Sequence, residues 1–253
     1  MKLSAVVMTF NEESNIERCL SSLDFADEII VLDSFSTDRT VEIAKRFTDK
    51  VSQREFTTPS EQRAASVELS ANEWVLVVDA DEVVTSELAG QIRTAVESGK
   101  YDAYRVPRIN YFLGKRIRHC GWYPDYVTRL MRKSKTTFPY RVLHEAPEID
   151  GRIGTLTGHF IHYSYTNFNQ LVAKTVTYAR GAAKQKIIEG RRFQLSKLVF
   201  APGLIFIKKY IIKQGFRDGI RGFLIATMQQ IGTFLRYAML WDMTRNKGED
   251  KHE

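Results

Sequence analysis

Not one glycine precedes Gly90 in this 253-residue chain. That absence excludes two common phosphate cradles. Neither a GxGxxG dinucleotide turn nor a Walker A loop can follow the first strand without glycines. Any phosphate bound here must be held by side chains or by a cation. Cysteine is nearly as scarce: Cys19 and Cys120 fit no disulfide framework or zinc spacing, and a reducing compartment is expected. No apolar run reaches the roughly 20 residues that span a bilayer. The longest near the C-terminus, Leu198 to Ile207, is broken by Pro202-Gly203 and stopped by Lys208-Lys209. Met1-Lys2 leads straight into the strand-like Leu3 to Phe10, so no export segment is expected. Helix-turn-helix, zinc-finger and RNA-recognition signatures are missing as well, and nucleic acid is not an expected partner.

What is present is a chain with 43% hydrophobic residues, enough for a full core in one or two units. Its net charge of +7 hides an asymmetry. Residues 1–100 carry 10 Lys/Arg against 19 Asp/Glu, a net of −9; residues 101–169 carry 11 against 5; residues 170–253 carry 16 against 6. An acidic front joined to a basic C-terminal third points to an anionic surface as partner.

The first hundred residues alternate strand and helix patterns. Leu3 to Thr9, Glu28 to Asp33, Lys50 to Arg54 and Trp74 to Val78 read as strands. Glu13 to Leu23, Arg39 to Phe47, Gln62 to Ser70 and Ser86 to Ser98 read as helices. Such interleaving implies α/β architecture with a mostly parallel sheet and right-handed crossovers, whose ligands bind at the carboxyl ends of the strands. Three strands end in polar residues there: Thr9-Phe-Asn11-Glu12, Asp33-Ser34 and Asp79-Ala-Asp81. Residues 101 to about 165 show further strand patterns, including Tyr104 to Leu113, Tyr126 to Met131 and Gly158 to Tyr163. From about Asn167 the period becomes helical.

The sharpest feature is Glu73-Trp-Val-Leu-Val-Val-Asp79-Ala-Asp81-Glu82. A strand of five large apolar residues, covered on both faces, runs straight into three carboxylates. Their mutual repulsion is costly unless offset, and Mg²⁺ or Mn²⁺ carrying phosphate is a natural counter-charge. The plainer alternative is that these acids cap the next helix.

Taken together, Val6-Val-Met-Thr-Phe-Asn-Glu-Glu, Asp27-Glu-Ile-Ile-Val-Leu-Asp-Ser-Phe-Ser-Thr-Asp-Arg-Thr and Trp74-Val-Leu-Val-Val-Asp-Ala-Asp-Glu resemble glycosyltransferase family 2. These are inverting enzymes with the GT-A nucleotide-sugar-binding fold. Trp122-Tyr-Pro-Asp-Tyr-Val-Thr-Arg-Leu-Met-Arg, Val142-Leu-His-Glu and Phe216-Arg-Asp-Gly219 through Ala226 resemble a narrower branch, the lipopolysaccharide inner-core glucosyltransferases that add β-glucose to a heptose. The resemblance implies a GT-A catalytic domain over residues 1–165, with a donor-binding half 1–100 and an acceptor-side half 101–165. A basic amphipathic helical region follows over 166–253. It also implies transfer of a hexose, glucose from UDP-glucose, onto the inner-core heptose of lipopolysaccharide by metal-assisted single displacement.

Each motif then has a role, with its structural alternative beside it. Asp33 can accept the uracil N–H or a ribose hydroxyl, and by resemblance is the nucleotide-recognising aspartate; alternatively it caps the following turn. Thr9, Asn11 and Glu12 would contact base or ribose, with a helix cap as the alternative for Asn11. The resemblance implies a donor contact for Arg63, against a solvated helix arginine. Asp81 is the expected principal ligand of Mg²⁺ or Mn²⁺, and Asp79 the expected contact to ribose or, through water, to the metal. Inversion needs one general base. Glu145 is the choice and Asp125 the reserve, with His144 orienting the carboxylate or touching the diphosphate, or serving a structural role. Many relatives carry an acidic pair at the base, and this chain has none there. Trp122 and Tyr123 offer a platform for a sugar ring or ordinary core packing.

In the C-terminal third, Leu198 to Ile212 and Ile220 to Leu240 carry bulky apolar faces flanked by Lys208, Lys209, Lys213, Arg217, Arg221 and Arg236. They fit helices lying at an anionic membrane surface, which implies a lipid-linked saccharide acceptor and a cytoplasmic protein peripheral to the inner face of the membrane. Covering the core or forming a dimer interface is the alternative. Two rival functions remain. A nucleotide-sugar pyrophosphorylase would need a glycine-rich basic loop after the first strand. A non-catalytic membrane scaffold would not need acids at three strand ends.

Overall fold

The structure, a computed structural model, describes residues 1–140 and 146–249. The chain divides into two compact units, Met1–Ile109 with Pro124–Tyr163, and Asn110–Tyr123 with Ser164–Glu253.

Twelve strands form in chain order: β1 (Leu3–Thr9), β2 (Glu28–Asp33), β3 (Val51–Gln53), β4 (Trp74–Asp79), β5 (Glu82–Val84), β6 (Ala103–Phe112), β7 (Lys115–Arg116), β8 (Asp125–Arg132), β9 (Thr136–Thr137), β10 (Glu148–Ile149), β11 (Ile153–Thr155) and β12 (Phe160–Tyr165). The main sheet runs β3-β2-β1-β4-β8-β6-β12-β5, with β7 and β11 also on β6. Its front, β3-β2-β1-β4, is parallel. Behind it, β8 pairs antiparallel with both β4 and β6, and β12 antiparallel with β5. The sheet is therefore mixed, as the hydrophobic alternation of Tyr104 to Phe112 permits and the continuous apolar runs of β1 and β4 do not require.

In the first unit, α1 (Ile16–Ser21), α2 (Thr40–Ala44), α3 (Pro59–Glu68) and α4 (Ser86–Ser98) cover this sheet. Alternation along β1 and β4 sends successive side chains to opposite faces. Leu3, Ala5, Val7, Leu76 and Val78 meet Leu20 of α1 and Leu88 and Ile92 of α4 in one buried cluster. Val6, Val75 and Val77 meet Val67 of α3 and Met131 of β8 in another. Each buried Leu, Ile, Val or Met among them contributes about 1.5–3 kcal/mol relative to exposure, so both strands are held from both sides.

Helix ends follow local chemistry. Thr58 caps α3 by accepting the Glu61 N–H and donates its hydroxyl to the Glu61 carboxylate, with Pro59 at the first helical position. Thr85 caps α4, which closes on Gly99 at φ 56°. Helices α1 and α2 are shorter than their apolar periods predict. The backbone N–H groups of Asn11, Glu12 and Glu13 donate to Ser36, Thr40 and Asp38, so the two connecting loops are stitched together instead of continuing as helix.

The second unit contains α5 (Phe168–Ile188), α6 (Leu195–Ile207) and α7 (Gly219–Glu249), with a π-helical extension of α6 over Lys208–Ile212. Phe112, Ile117, Cys120, Leu171, Ile225 and Met228 form its core. Trp122 packs into that core, its ring 6.2 Å from Phe112 and 6.1 Å from Tyr165, while the Arg116 guanidinium lies 5.2 Å from the Tyr123 ring. Asp218 accepts the backbone N–H groups of Arg118 and His119 and pairs with His119 Nδ1 at 3.0 Å, which pins the 118–122 loop.

Candidate active site

Register alone gathers the polar strand ends. Thr9 lies opposite Asp33, and Met8 opposite Asp79, so three neighbouring parallel strands deliver these residues to one rim of the first unit. Asp33 is fully buried. Its carboxylate accepts the Ser36 N–H at 2.9 Å and the Gln53 side-chain amide at 2.9 Å. The turn-capping role and a place at the rim therefore coexist in one residue. Beside it, the Thr9 hydroxyl is buried and has no hydrogen-bond partner among the described residues. Asn11 adopts φ 52°, and its side-chain oxygen accepts the Thr37 N–H at 2.8 Å. It caps no helix; it joins two loops. Glu12 accepts from the Asn15 amide.

The three carboxylates at the end of β4 and the start of β5 all meet basic side chains, and Asp79 and Glu82 share Arg129. Asp79 accepts from Arg63 Nη2 at 3.1 Å and from Arg129. Arg63 is buried, so the solvated-arginine alternative does not hold. Glu82 has no exposed surface. Its carboxylate meets Arg108 at 3.0 Å and Arg129 at 3.1 Å, and accepts the Asp79 N–H at 3.1 Å. Asp81 faces His162 Nε2 at 3.4 Å, and the Tyr163 N–H donates to the Asp81 carbonyl at 2.9 Å. The repulsion that β4 builds is thus offset largely by three buried or half-buried arginines, not by a cation alone.

These environments displace the titrations. Burial, then the Asp79 charge, hold the Glu82 carboxyl above its ordinary range against Arg108 and His162. Burial acts to lower the His162 pKa, but the Asp81 carboxylate outweighs it and the net shift is upward. The Cys19 thiol is pushed well up by burial and then by Glu82, Asp81 and Asp79; it donates to the Asp79 carbonyl at 3.6 Å. It is a packed, protonated thiol, not a nucleophile.

Asp125, at the start of β8, is committed to Arg108, which reaches Oδ2 with Nε at 2.9 Å and Nη2 at 2.7 Å. Glu145 and His144 lie outside the described residues. Arg108, Arg129 and His162 escape a reading of the sequence because they come from strands far from Asp79 along the chain. The one available signal was an arginine inside the apolar strand Val127-Thr-Arg-Leu-Met131, a position that demands a buried counter-charge. No group of three or more His, Cys, Asp or Glu poised for a metal exists among the described residues. Asp81 with His162 places one carboxylate and one imidazole side by side, donors that could hold a transition-type divalent cation such as Mn²⁺.

The profile described as Glycosyl transferase family 2 matches residues 4–158. An uncharacterized glycosyltransferase of Rickettsia prowazekii is 30% identical over 96% of this chain and 88% of its own length. The lipopolysaccharide core biosynthesis glycosyltransferase LpsC of Rhizobium meliloti is 27% identical over 95% of this chain and 92% of its own. Among solved structures, S. aureus TarS 1–349 in complex with UDP-GlcNAc superposes with a TM-score of 0.52 at 16% identity, covering 97% of this chain and 92% of that one. This chain spans 55% of a longer TarS chain. Mycobacterium tuberculosis glucosyl-3-phosphoglycerate synthase, solved with Mg²⁺ and UDP, superposes with a TM-score of 0.50 at 17% identity, covering 75% of this chain and 80% of that one. At these identities the structures speak to the fold, which is GT-A.

Proposed function

The chain belongs to glycosyltransferase family 2, and from that premise we propose that it moves glucose from UDP-glucose, with inversion, onto a heptose of the lipopolysaccharide inner core. The observation that carries the donor half is the convergence of Thr9, Asp33 and Asp79 on one rim beside the Asp81–His162 pair. Its acidic, glycine-free character suits a nucleoside diphosphate approached through a cation, and the UDP complexes of the structural neighbours support that reading. The acceptor half rests on the likeness to LpsC. Membership of the family sets aside the pyrophosphorylase and the scaffold.

In this reading Asp33 accepts from the uracil or ribose, and the unpartnered Thr9 hydroxyl gains its hydrogen bond there. Asp79, oriented by Arg63 and Arg129, offers its exposed edge to the ribose. Asp81 and His162 would hold Mg²⁺ or Mn²⁺, which when bound neutralises charge on the departing diphosphate. Asp125 already spends Oδ2 on Arg108, which favours Glu145 as the group that takes the acceptor hydroxyl proton while the anomeric carbon–oxygen bond to UDP breaks. An acceptor of this class is lipid-linked, and the protein would work peripherally at the inner face of the cytoplasmic membrane. No described helix is long and apolar enough to cross a membrane.

UDP release measured with a panel of UDP-sugars and delipidated inner-core oligosaccharide tests this. Turnover with UDP-glucose, dependent on both acceptor and divalent metal, is expected. Faster turnover of UDP-GlcNAc, or full rate in excess chelator, would contradict it.

A further inference from the structure

Helix α6 is apolar all the way round. Between Leu195 and Ile207 its only charged residue is Lys197. A helix of that kind belongs in a fully apolar setting, yet among the described residues only one side of this one is covered. Phe206 and, in the π-helical extension, Tyr210 stack edge-on against Phe223 of α7 at 6.0 and 5.8 Å. On the other side Phe200, Leu204, Ile207 and Ile211 recur at helical spacing and are 65%, 65%, 50% and 53% exposed, and Ile212 beside them is 66% exposed. An uncovered stripe of this size marks an interaction surface.

Charge identifies the occupant. Residues 190–217 contain seven Lys/Arg and no Asp or Glu. Lys197 sits at one end of the stripe and Lys208 and Lys213 at the other, all exposed. A second copy docked on this face would set two such cationic surfaces against each other. An anionic bilayer complements both the apolar stripe and its basic rim. We infer that the exposed face of Leu195–Ile212 inserts into the headgroup and upper acyl region of an anionic phospholipid bilayer, with the helix axis lying in the membrane plane. About 27 Å of continuous helix is available for this contact. The inference specifies the membrane seat of the peripheral protein described above, and it stands independently of which sugar is transferred.

Flotation of the full chain with phosphatidylglycerol-containing vesicles, without sugar nucleotide, tests it. Binding at low salt, released toward about 1 M salt and absent on phosphatidylcholine vesicles, is expected. The triple variants Phe200→Ser/Leu204→Ser/Ile207→Ser and Lys197→Gln/Lys208→Gln/Lys213→Gln should each weaken partitioning by at least about 100-fold. Their thermal unfolding and their UDP release with a water-soluble acceptor should stay at wild-type levels. That second readout separates this inference from the donor reading: a chain that floats but turns over no UDP-sugar sinks only the latter. Equal binding to neutral vesicles, no binding, or variants that float like wild type would overturn the seat. So would a dimer that the serine variant dissociates in a chain that ignores vesicles.

Discussion

Arg129 is the residue on which the buried half of the site turns. Its side chain is 5% exposed, and its Nη2 reaches both Asp79 and the fully buried Glu82. Replacing it with Met removes the charge and keeps most of the volume. Breaking a buried ion pair from one side costs about 3–5 kcal/mol, because the partner charge is left stranded. Here Arg108 still holds Glu82 at 3.0 Å, Arg63 still holds Asp79 at 3.1 Å, and Glu82, its carboxyl raised to about 7, can take up a proton, which places the loss at or below the low end, about 3 kcal/mol. The first unit's stability is best read locally, since the chain has two units and global unfolding need not be two-state. Hydrogen exchange of the β4 amides should therefore accelerate by about 100-fold in Arg129→Met. Adding Glu82→Gln removes the stranded charge, and the double variant should regain about 1–3 kcal/mol of that loss. Acceleration below about tenfold, or a double variant no slower than the single one, would show that these arginines do not hold the carboxylates.

Other consequences are simpler. Glu145→Gln should lower turnover by about 10²–10⁴-fold while leaving UDP affinity intact, whereas Asp125→Asn should act mainly through a loosened Arg108; equal losses in both, measured at saturating donor, would return Asp125 to candidacy as base. Asp27 is held below the usual carboxylate range, chiefly by its hydrogen bond from Arg93 and then by that from the Leu3 N–H. Its folded pKa lies below the unfolded value of about 3.9, so its contribution is complete above that value and fades as pH falls through the folded one. Asp27→Asn should flatten the acid limb of the stability profile, and an unchanged limb would refute the assignment.

Much of the donor-binding half is legible in the sequence. Strands β1, β2 and β4 and helix α4 stand where the apolar runs put them, because local propensity, burial and, for α4, the Thr85 and Gly99 caps agree there. The loops after β1 and β2 are not legible, since Asn11, Ser36 and Thr40 satisfy backbone groups across loops instead of extending helices. Nor is β5, whose one strand partner among the described residues is β12. Asp79, Asp81 and Glu82 were visible as a cluster, but their counter-charges were not. Arg108, Arg129 and His162 arrive through antiparallel pairings whose register no local pattern encodes.

In the proposed function, Asp81 and His162 receive a cation-borne uridine diphosphate at the rim of the parallel strands. Isothermal titration of UDP into the full chain tests it most directly. Binding heat should appear with Mn²⁺ and vanish in excess chelator, and Asp81→Ala should give none with the metal present. UDP binding of equal strength in chelator, or undiminished binding by Asp81→Ala, would contradict the claim.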